Sequence, residues 1–505
     1  MVGSTQTEST QASSTRWIAL AVLVLPVVLV SMDMSVLYLA IPAIAKDLNP
    51  SSTEVLWILD SYGFVLAGLL IVMGNIGDRI GRRRLLLIGA AVFGIASAVA
   101  AFAPSTAVLI AARAAMGLGG ATLMPSTMAL IRNIFPDDEE RTKAIGIWTA
   151  TFAGGAALGP VLGGTLLDFF HWGSVFLINV PVLVVLLVAA PLLVPEYRNP
   201  ERSAFDVIGA VLLLGALLST VYAIKHSAEI VGFDLASAGF AIAGVALFAG
   251  FVMQQRRTAA PLVDVQMFAN PAFLAGAIAV TVAMLAMMGQ SMFFAQYLQL
   301  VLDMGPLRAA LWMLPMTVTV AIGATVAPEL AKKIGVPASY AIGCVVGAAA
   351  LVIVAFSHAA DGVWILLTGG CVLGAGAALV LTLANTAVVS EAPEDRAGAA
   401  SAISETGSEL GGALGIALLG SIATLVYRTQ VELPDGLPPE AAGPAEQTLA
   451  GADQVAEVLP ADVGAVLLDN ARDAFASGFS VACLSGALLM VALAVAVPAL
   501  ARRAG

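Results

Sequence analysis

Charge is scarce in this chain. Lys, Arg, Asp and Glu make up 11% of its 505 residues, where a soluble protein of this size carries about 25%. That deficit excludes a water-soluble globular fold of ordinary composition. Cysteine is also rare: Cys344, Cys371 and Cys483 fall singly inside apolar runs, and their spacing suggests neither a disulfide framework nor a metal site. The three histidines, His171, His226 and His358, map to expected external loops and are poor candidates for proton carriers. No Gly-x-x-x-x-Gly-Lys-Ser/Thr string occurs, and no Ser/His/Asp constellation or metal cluster is evident. ATP hydrolysis, enzymatic catalysis and a resident cofactor therefore have no sequence support, and neither a nucleotide nor a nucleic acid is an expected partner.

Apolar residues are abundant instead. They reach 59% and come in runs of roughly 20, the length that crosses about 30 Å of hydrocarbon. Ten-residue alternating segments of the β-barrel kind are missing. The fold class expected is an all-α polytopic membrane protein embedded in a lipid bilayer. Fourteen spans can be drawn, at about 17–45, 54–74, 85–103, 107–131, 144–167, 174–195, 206–225, 236–254, 273–301, 308–330, 338–356, 363–390, 397–427 and 475–499. The first run is too long for a signal peptide and reads as a retained span. An even count puts both termini on one side. With the N-terminus cytoplasmic, 17 of the 23 Lys and Arg fall in inner segments, including Arg202, Arg396, Arg502 and Arg503. Lys46, Lys225, Arg308, Arg428 and Arg472 fall outside, and Arg113 lies within a span. The expected location is the plasma (inner) membrane with cytoplasmic termini.

The chain also repeats itself. Pro328-Glu329-Leu330-Ala331-Lys332-Lys333-Ile334-Gly335 echoes Gly74-Asn75-Ile76-Gly77-Asp78-Arg79-Ile80-Gly81 at an offset of 335 − 81 = 254 residues. The Ile-Gly pair and the preceding basic residue are kept, while Lys332 replaces Asp78. Two six-helix halves follow, 17–195 and 273–499, after an N-terminal tail at 1–16 and with two inserted spans at 206–254. Duplicated halves around a midplane site are a transporter design. Residues 428–474 form one long external loop rich in Pro, Gly, Ala and acid, with Asp435 among the acids. It reads as a solvated tether or a cation-attracting vestibule, with a short amphipathic helix over 461–474.

These strings carry a resemblance. Gly74 through Gly81, followed by Arg82-Arg83-Arg84, looks like the signature between spans 2 and 3 of the major facilitator superfamily. Met32-Asp33-Met34-Ser35-Val36-Leu37-Tyr38-Leu39-Ala40-Ile41-Pro42 is similar to a first-span motif, and Gly154-Gly155-Ala156-Ala157-Leu158-Gly159-Pro160-Val161-Leu162-Gly163-Gly164 to a fifth-span antiporter motif. Arg113 sits where the family keeps a fourth-span arginine. The chain thus resembles the fourteen-span drug:proton antiporter branch, the QacA-like multidrug efflux pumps. It departs at Tyr38, where Asn is usual, and at span 10, which lacks the carboxylate of some antiseptic exporters. The resemblance implies a proton-coupled antiporter exporting amphipathic, cationic drugs or antiseptics by alternating access. A dedicated exporter of one endogenous antibiotic or metabolite is the alternative, and a gated channel or lipid-handling protein the alternative from another class.

Ionisable groups inside spans cost at least about 2.5 kcal/mol on insertion scales, which makes each a candidate for function. Asp33, Asp60 and Arg113 share the outer half of the first bundle, where an Asp33–Arg113 pair can form as a coupling site or as a purely structural ion pair. Glu405 and Glu409 stand at i, i+4 on one face. If that face lines a central cavity, the two acids cannot both ionise cheaply, which suits proton carriage and attraction of a cation. Phe293, Phe294, Trp312 and Met313 are expected at a promiscuous pocket, since soft side chains adapt to many shapes. Gly74, Gly77, Asp78, Arg79, Gly81, Arg82 and Arg83 are expected to gate. Asp78, present in only one half, would accept from a helix end or pair with a basic residue of the opposite half. Gly155, Gly159, Pro160, Gly163 and Gly164 are expected to kink span 5 and bring it close to span 8 or its neighbours.

Overall fold

The computed structural model describes residues 3–198, 206–230, 232, 234–258, 261–357, 363–392, 397–434, 437 and 439–501. His358, Asp435, Arg202, Arg396, Arg502 and Arg503 lie outside them. Among the described residues the protein is built of helices alone, and fourteen are long and apolar enough to span a membrane. The expected polytopic helical class is borne out. Six spans come first: α1 (Gly3–Leu48), α2 (Ser52–Ile80), α3 (Arg82–Ala101), α4 (Thr106–Ile134), α5 (Asp138–Phe169), and the pair α6 (Ser174–Leu177) and α7 (Asn179–Leu193). Then α8 (Val207–Glu229) and α9 (Leu235–Arg257) pack on each other as a hairpin. A 3₁₀ turn leads into α10 (Pro271–Gln296), which continues as a π-turn at Tyr297–Val301. After it come α11 (Pro306–Ile334), α12 (Val336–Ala355), α13 (Val363–Ser390) and α14 (Ala397–Gln430). Short α15 (Pro439–Gln447) and α16 (Leu449–Val458) precede α17 (Ala461–Ala501).

The sequence repeat is a repeat of backbone. Helices α2 and α3 begin at residues 52 and 82, and α11 and α12 begin 254 residues later, at 306 and 336. Both junctions turn on a glycine with positive φ, +111° at Gly81 and +85° at Gly335. An L side chain rarely adopts that conformation, so the repeated Ile-Gly pair encodes a helix-to-helix corner. At the first corner, the Glu196 carboxylate accepts from the backbone N–H of Arg83 at 2.9 Å and of Arg84 at 3.2 Å, an anion on the positive end of α3. Arg83 Nη1 in turn donates to the carbonyls of Val194 and Pro191, tying the corner to the end of α7.

The two groups of six helices meet through α2 against α14 and α5 against α11. A Cβ at Gly420 would lie 2.6 Å from Leu56, and one at Gly164 would lie 2.8 Å from the Cα of Leu307. Both contacts fall towards the ends of those helices remote from the Gly81 and Gly335 corners. Near the basic corners the ion pairs Asp78–Arg82, Lys143–Glu139 and Lys332–Glu329 each stay inside one group of helices.

The loop expected to be a solvated tether folds into α15, α16 and the first turns of α17, and closes that remote end. Lys46, at the end of α1, lies 3.0 Å from both Asp453 and Glu457 of the cap. Gln454 donates to the Ala45 carbonyl, Tyr427 to that of Ala445, and Arg472 to that of Leu300. Leu449, Val455, Leu467 and Ala471 are buried in the main core. Helices of nine and ten residues are marginal alone and form because they pack. The expected 461–474 helix is the lower part of α17, running without a break into the last span.

Candidate functional site: a cavity between the two helix groups

A cavity of about 370 Å³ lies where α1, α2, α4, α10 and α14 converge. Its wall includes Tyr38, Asp60, Tyr62, Arg113, Met288 and Glu409, with Gly63, Gly412 and Ala413 leaving room between α2 and α14. The expected Asp33–Arg113 pair is formed. Arg113 Nη1 donates to Asp33 Oδ2, and both residues are buried, at 1% and 5% exposure. Arg113 Nε also donates to the Ile58 carbonyl at 3.2 Å, and its guanidinium lies 4.7 Å from the centre of the Tyr62 ring. Three partners from two helices, Asp33 of α1 and Ile58 and Tyr62 of α2, thus hold this cation of α4 against the wall.

Asp60 does not join that pair. Its Oδ2 lies 2.8 Å from Lys225 Nζ, and neither side chain is exposed. Lys225 was expected in an external segment, but α8 continues to Glu229 and keeps it about 6 Å short of the helix end. Its ammonium sits 4.2 Å from the Trp57 ring centre and 5.8 Å from that of Phe64. Hydropathy ended the span at the first charged residue and so misplaced the one that is buried.

The i, i+4 acids of α14 are divided by their surroundings. Glu409 is buried and lines the cavity, and its Oε2 has no hydrogen-bond partner among the described residues. Glu405, one turn nearer the basic corners, is half-buried and outside the cavity wall.

The four apolar residues expected at the pocket lie elsewhere. Phe294 is fully buried in the core. Phe293 packs on Phe475 and Phe479 and lines a second cavity of about 440 Å³ beneath the cap, with Gln296, Tyr427 and Leu449. Trp312 meets Trp364 edge to face at 5.2 Å, and Met313 is buried in the core. From the methionine-rich α10, it is Met288 that reaches the central cavity, where its sulfur accepts from the Tyr38 hydroxyl at 3.7 Å. Tyr38 was legible as a departure from the first-span motif, but nothing in sequence marked it as wall.

Among the described residues, Asp78 of the basic corner bonds neither a helix end nor the opposite helices. It takes Arg82, one turn along, at 2.6 Å, and Glu196 fills the helix-end position. Arg82 is buried and its Nη1 has no hydrogen-bond partner among the described residues. A Cβ at Gly77 would press on Arg82 at 2.9 Å, so Gly77 makes room for this arginine. Gly74 lies near Pro125 of α4, and Arg79 is exposed.

The glycine motif of α5 packs on α1 rather than on the inserted helices. A Cβ at Gly155 would collide with Ser31, at Gly159 with Ser35, and at Gly163 with Val36 at 2.6 Å. Gly164 alone faces across to α11, against Pro306 and Leu307. Helix α5 runs through buried Pro160 as one element from Asp138 to Phe169.

Comparison with known proteins agrees with this architecture. The model of the Major Facilitator Superfamily matches residues 23–416. The chain is 44% identical over 499 residues to the multidrug efflux pump LfrA of Mycolicibacterium smegmatis, covering 98% of this chain and 99% of that protein. It is 34% identical to the methyl viologen resistance protein SmvA of Salmonella typhimurium, covering 95% and 97%. Among solved structures, a bacterial homologue of the human lysosomal transporter Spinster, in an inward-facing, unoccupied conformation, superposes with a TM-score of 0.69. It shares 17% identity and covers 97% of each chain, which is a likeness of fold.

Proposed function

Because the chain belongs to the Major Facilitator Superfamily and is a multi-pass membrane transporter, not an enzyme, we propose that it is a drug exporter that moves amphipathic cations out of the cell in exchange for protons. The relatives' names, multidrug efflux pump and methyl viologen resistance protein, support export of drugs. One observation carries the finer reading: Glu409 is a buried carboxyl with an unpartnered oxygen, facing a cavity between two helix groups. An ionised carboxylate there is costly unless a cation pairs with it, so the site holds either a proton or a cationic substrate and not both. That exclusion is the chemical basis of antiport.

The basic corners, including Arg79 and Arg82 to Arg84, are the cytoplasmic face by the positive-inside rule. The cap then lies outside, and the conformation is sealed outside with its helix groups apart inside. The amphipathic cation reaches Glu409 from the cytoplasm or inner leaflet, displaces its proton inward and is bound by charge and by the Tyr38, Tyr62 and Met288 surface. The helix groups then rock: α2 and α5 separate from α14 and α11 at the cap, and the corners close. Asp78 is free in sequence terms to exchange Arg82 for a partner across the interface in that second state, which makes it a latch for the outward-facing form. Outside, protonation of Glu409 expels the cation. Asp33, held on Arg113, and Asp60 set the field in which that proton arrives, and Glu405 is the relay one turn inward.

The test is transport in inverted membrane vesicles. An acid-inside gradient is expected to drive ethidium uptake that collapses with a protonophore, and Glu409→Gln is expected to abolish gradient-driven uptake. Uptake by Glu409→Gln at the wild-type rate would remove Glu409 from the mechanism. Protonophore-insensitive equilibration would point to a channel.

A further inference from the structure

The buried lysine of α8 is unused by the mechanism above, yet it is a charged group with no exposure. It is an ammonium with one carboxylate partner and two aromatic faces, and buried ion pairs of this kind often contribute no more stability than apolar side chains of the same volume. Its helix is wedged between both groups: Val221 packs with Phe64 of α2 and with Ala413 and Ala417 of α14. Lys225 approaches Asp60 from behind, since it lines no part of the cavity wall that Asp60 lines.

We propose that Lys225 sets the charge selectivity of the cavity: by neutralising Asp60 from outside the wall, it leaves a single unpaired carboxylate facing the substrate and fits the site to organic monocations over dications. The charge inventory is explicit. Asp33 is balanced by Arg113 and Asp60 by Lys225. Glu409 stands without a counter-ion among the described residues, and half-buried Glu405 lies outside the wall. Tyr38 and Tyr62 add neutral hydroxyls. With Lys225 in place, a monocation completes the balance and a dication brings one charge too many. Without it, Asp60 and Glu409 form a two-carboxylate wall across the α2–α14 contact. The inserted helices then act as a charge setting added to a twelve-helix machine.

This inference rests on the cation-binding reading of the cavity. Binding of ethidium and of a bis-quaternary dication, methyl viologen, to purified protein in detergent tests it without relying on transport. Lys225→Met is expected to shift the ratio of the two affinities towards the dication by about tenfold, the order expected for one unit charge at close range. Lys225→Arg is expected to restore the wild-type ratio, and the shift should vanish in Asp60→Asn/Lys225→Met. If Lys225→Met leaves the ratio where it was, or if the double variant keeps the shift, the inference is overturned and Lys225 is a packing residue. If Lys225→Met does not fold, the Arg and double variants decide: the double variant, with both charges gone, must show the wild-type ratio, and a dication preference there overturns the inference. Wild-type protein that binds neither cation would instead remove the cation-exporter reading, and this inference with it.

Discussion

Replacing Asp33 by Asn tests the buried charge pair that Arg113 forms beside the cavity. The substitution keeps volume and an acceptor but strands the Arg113 guanidinium, which is 1% exposed and cannot shed its proton. Breaking a buried ion pair from one side costs about 3–5 kcal/mol. The Asn oxygen can still accept from the guanidinium, a neutral-to-charged bond worth about 1.5–3 kcal/mol, and the Ile58 carbonyl and Tyr62 face remain. The expected net loss is therefore about 1–3 kcal/mol. For a chain of this length that corresponds to a lowering of the unfolding midpoint by about 1–3 °C, at roughly 1 °C per kcal/mol from the unfolding entropy per residue. The assay is thermal unfolding of purified protein in detergent, run as a cycle with Arg113→Met and the double variant. The double variant should lose less than the sum of the single losses, because it strands no charge, with a coupling of about 2 kcal/mol. In vesicles, Asp33→Asn should lose proton-driven ethidium uptake while retaining exchange of labelled for unlabelled substrate. Losses that add within about 0.5 kcal/mol would refute the energetic argument. Wild-type proton-driven uptake in Asp33→Asn would make the pair purely structural.

Two further outcomes follow from the closed end of the molecule. Gly164→Ala places a methyl 2.8 Å from the Leu307 Cα, in backbone that cannot swing aside. It should part α5 from α11 at the cap and raise hydrogen exchange around residues 160–168 and 305–312; unchanged exchange would mean that this contact does not hold the end shut. Lys46→Gln removes two ion pairs that are partly exposed, the lysine at 44%. Solvent screening keeps each at about 0–1 kcal/mol, so overall stability should hardly move. Exchange within 449–458 should rise, and no rise would show that the cap is held by its apolar contacts alone.

How far the sequence could be read depended on whether a property was local. Fourteen spans were legible because a run of apolar residues long enough to cross hydrocarbon needs no partner to be recognised. Gly81 and Gly335 were legible because a positive-φ corner selects one residue type. The Asp33–Arg113 pair was legible because two charges at the same depth of adjacent helices have few other partners. The cap was not, since the Ala-, Pro- and Gly-rich stretch from 439 to 458 has helices too short to declare themselves. Nor were the cavity-lining roles of Met288 and Tyr38, set by how α10 and α1 are rotated. Phe293, Trp312 and Met313 have the same soft character and point into other contacts.

Composition and pattern by themselves determined a membrane transporter of duplicated design, because the cost of placing charge or unpaired backbone in hydrocarbon acts on each segment separately. Only the tertiary structure decided which of the buried charges stand together. Asp60 could have shared Arg113 with Asp33, and instead takes Lys225 from a helix 165 residues further along the chain. Glu409 is left to face the cavity without a counter-ion among the described residues, while Glu405, one turn away, is not part of its wall. The physical reason is that electrostatic pairing is settled at a few ångströms, by helix rotation and packing, and sequence distance carries no information at that scale.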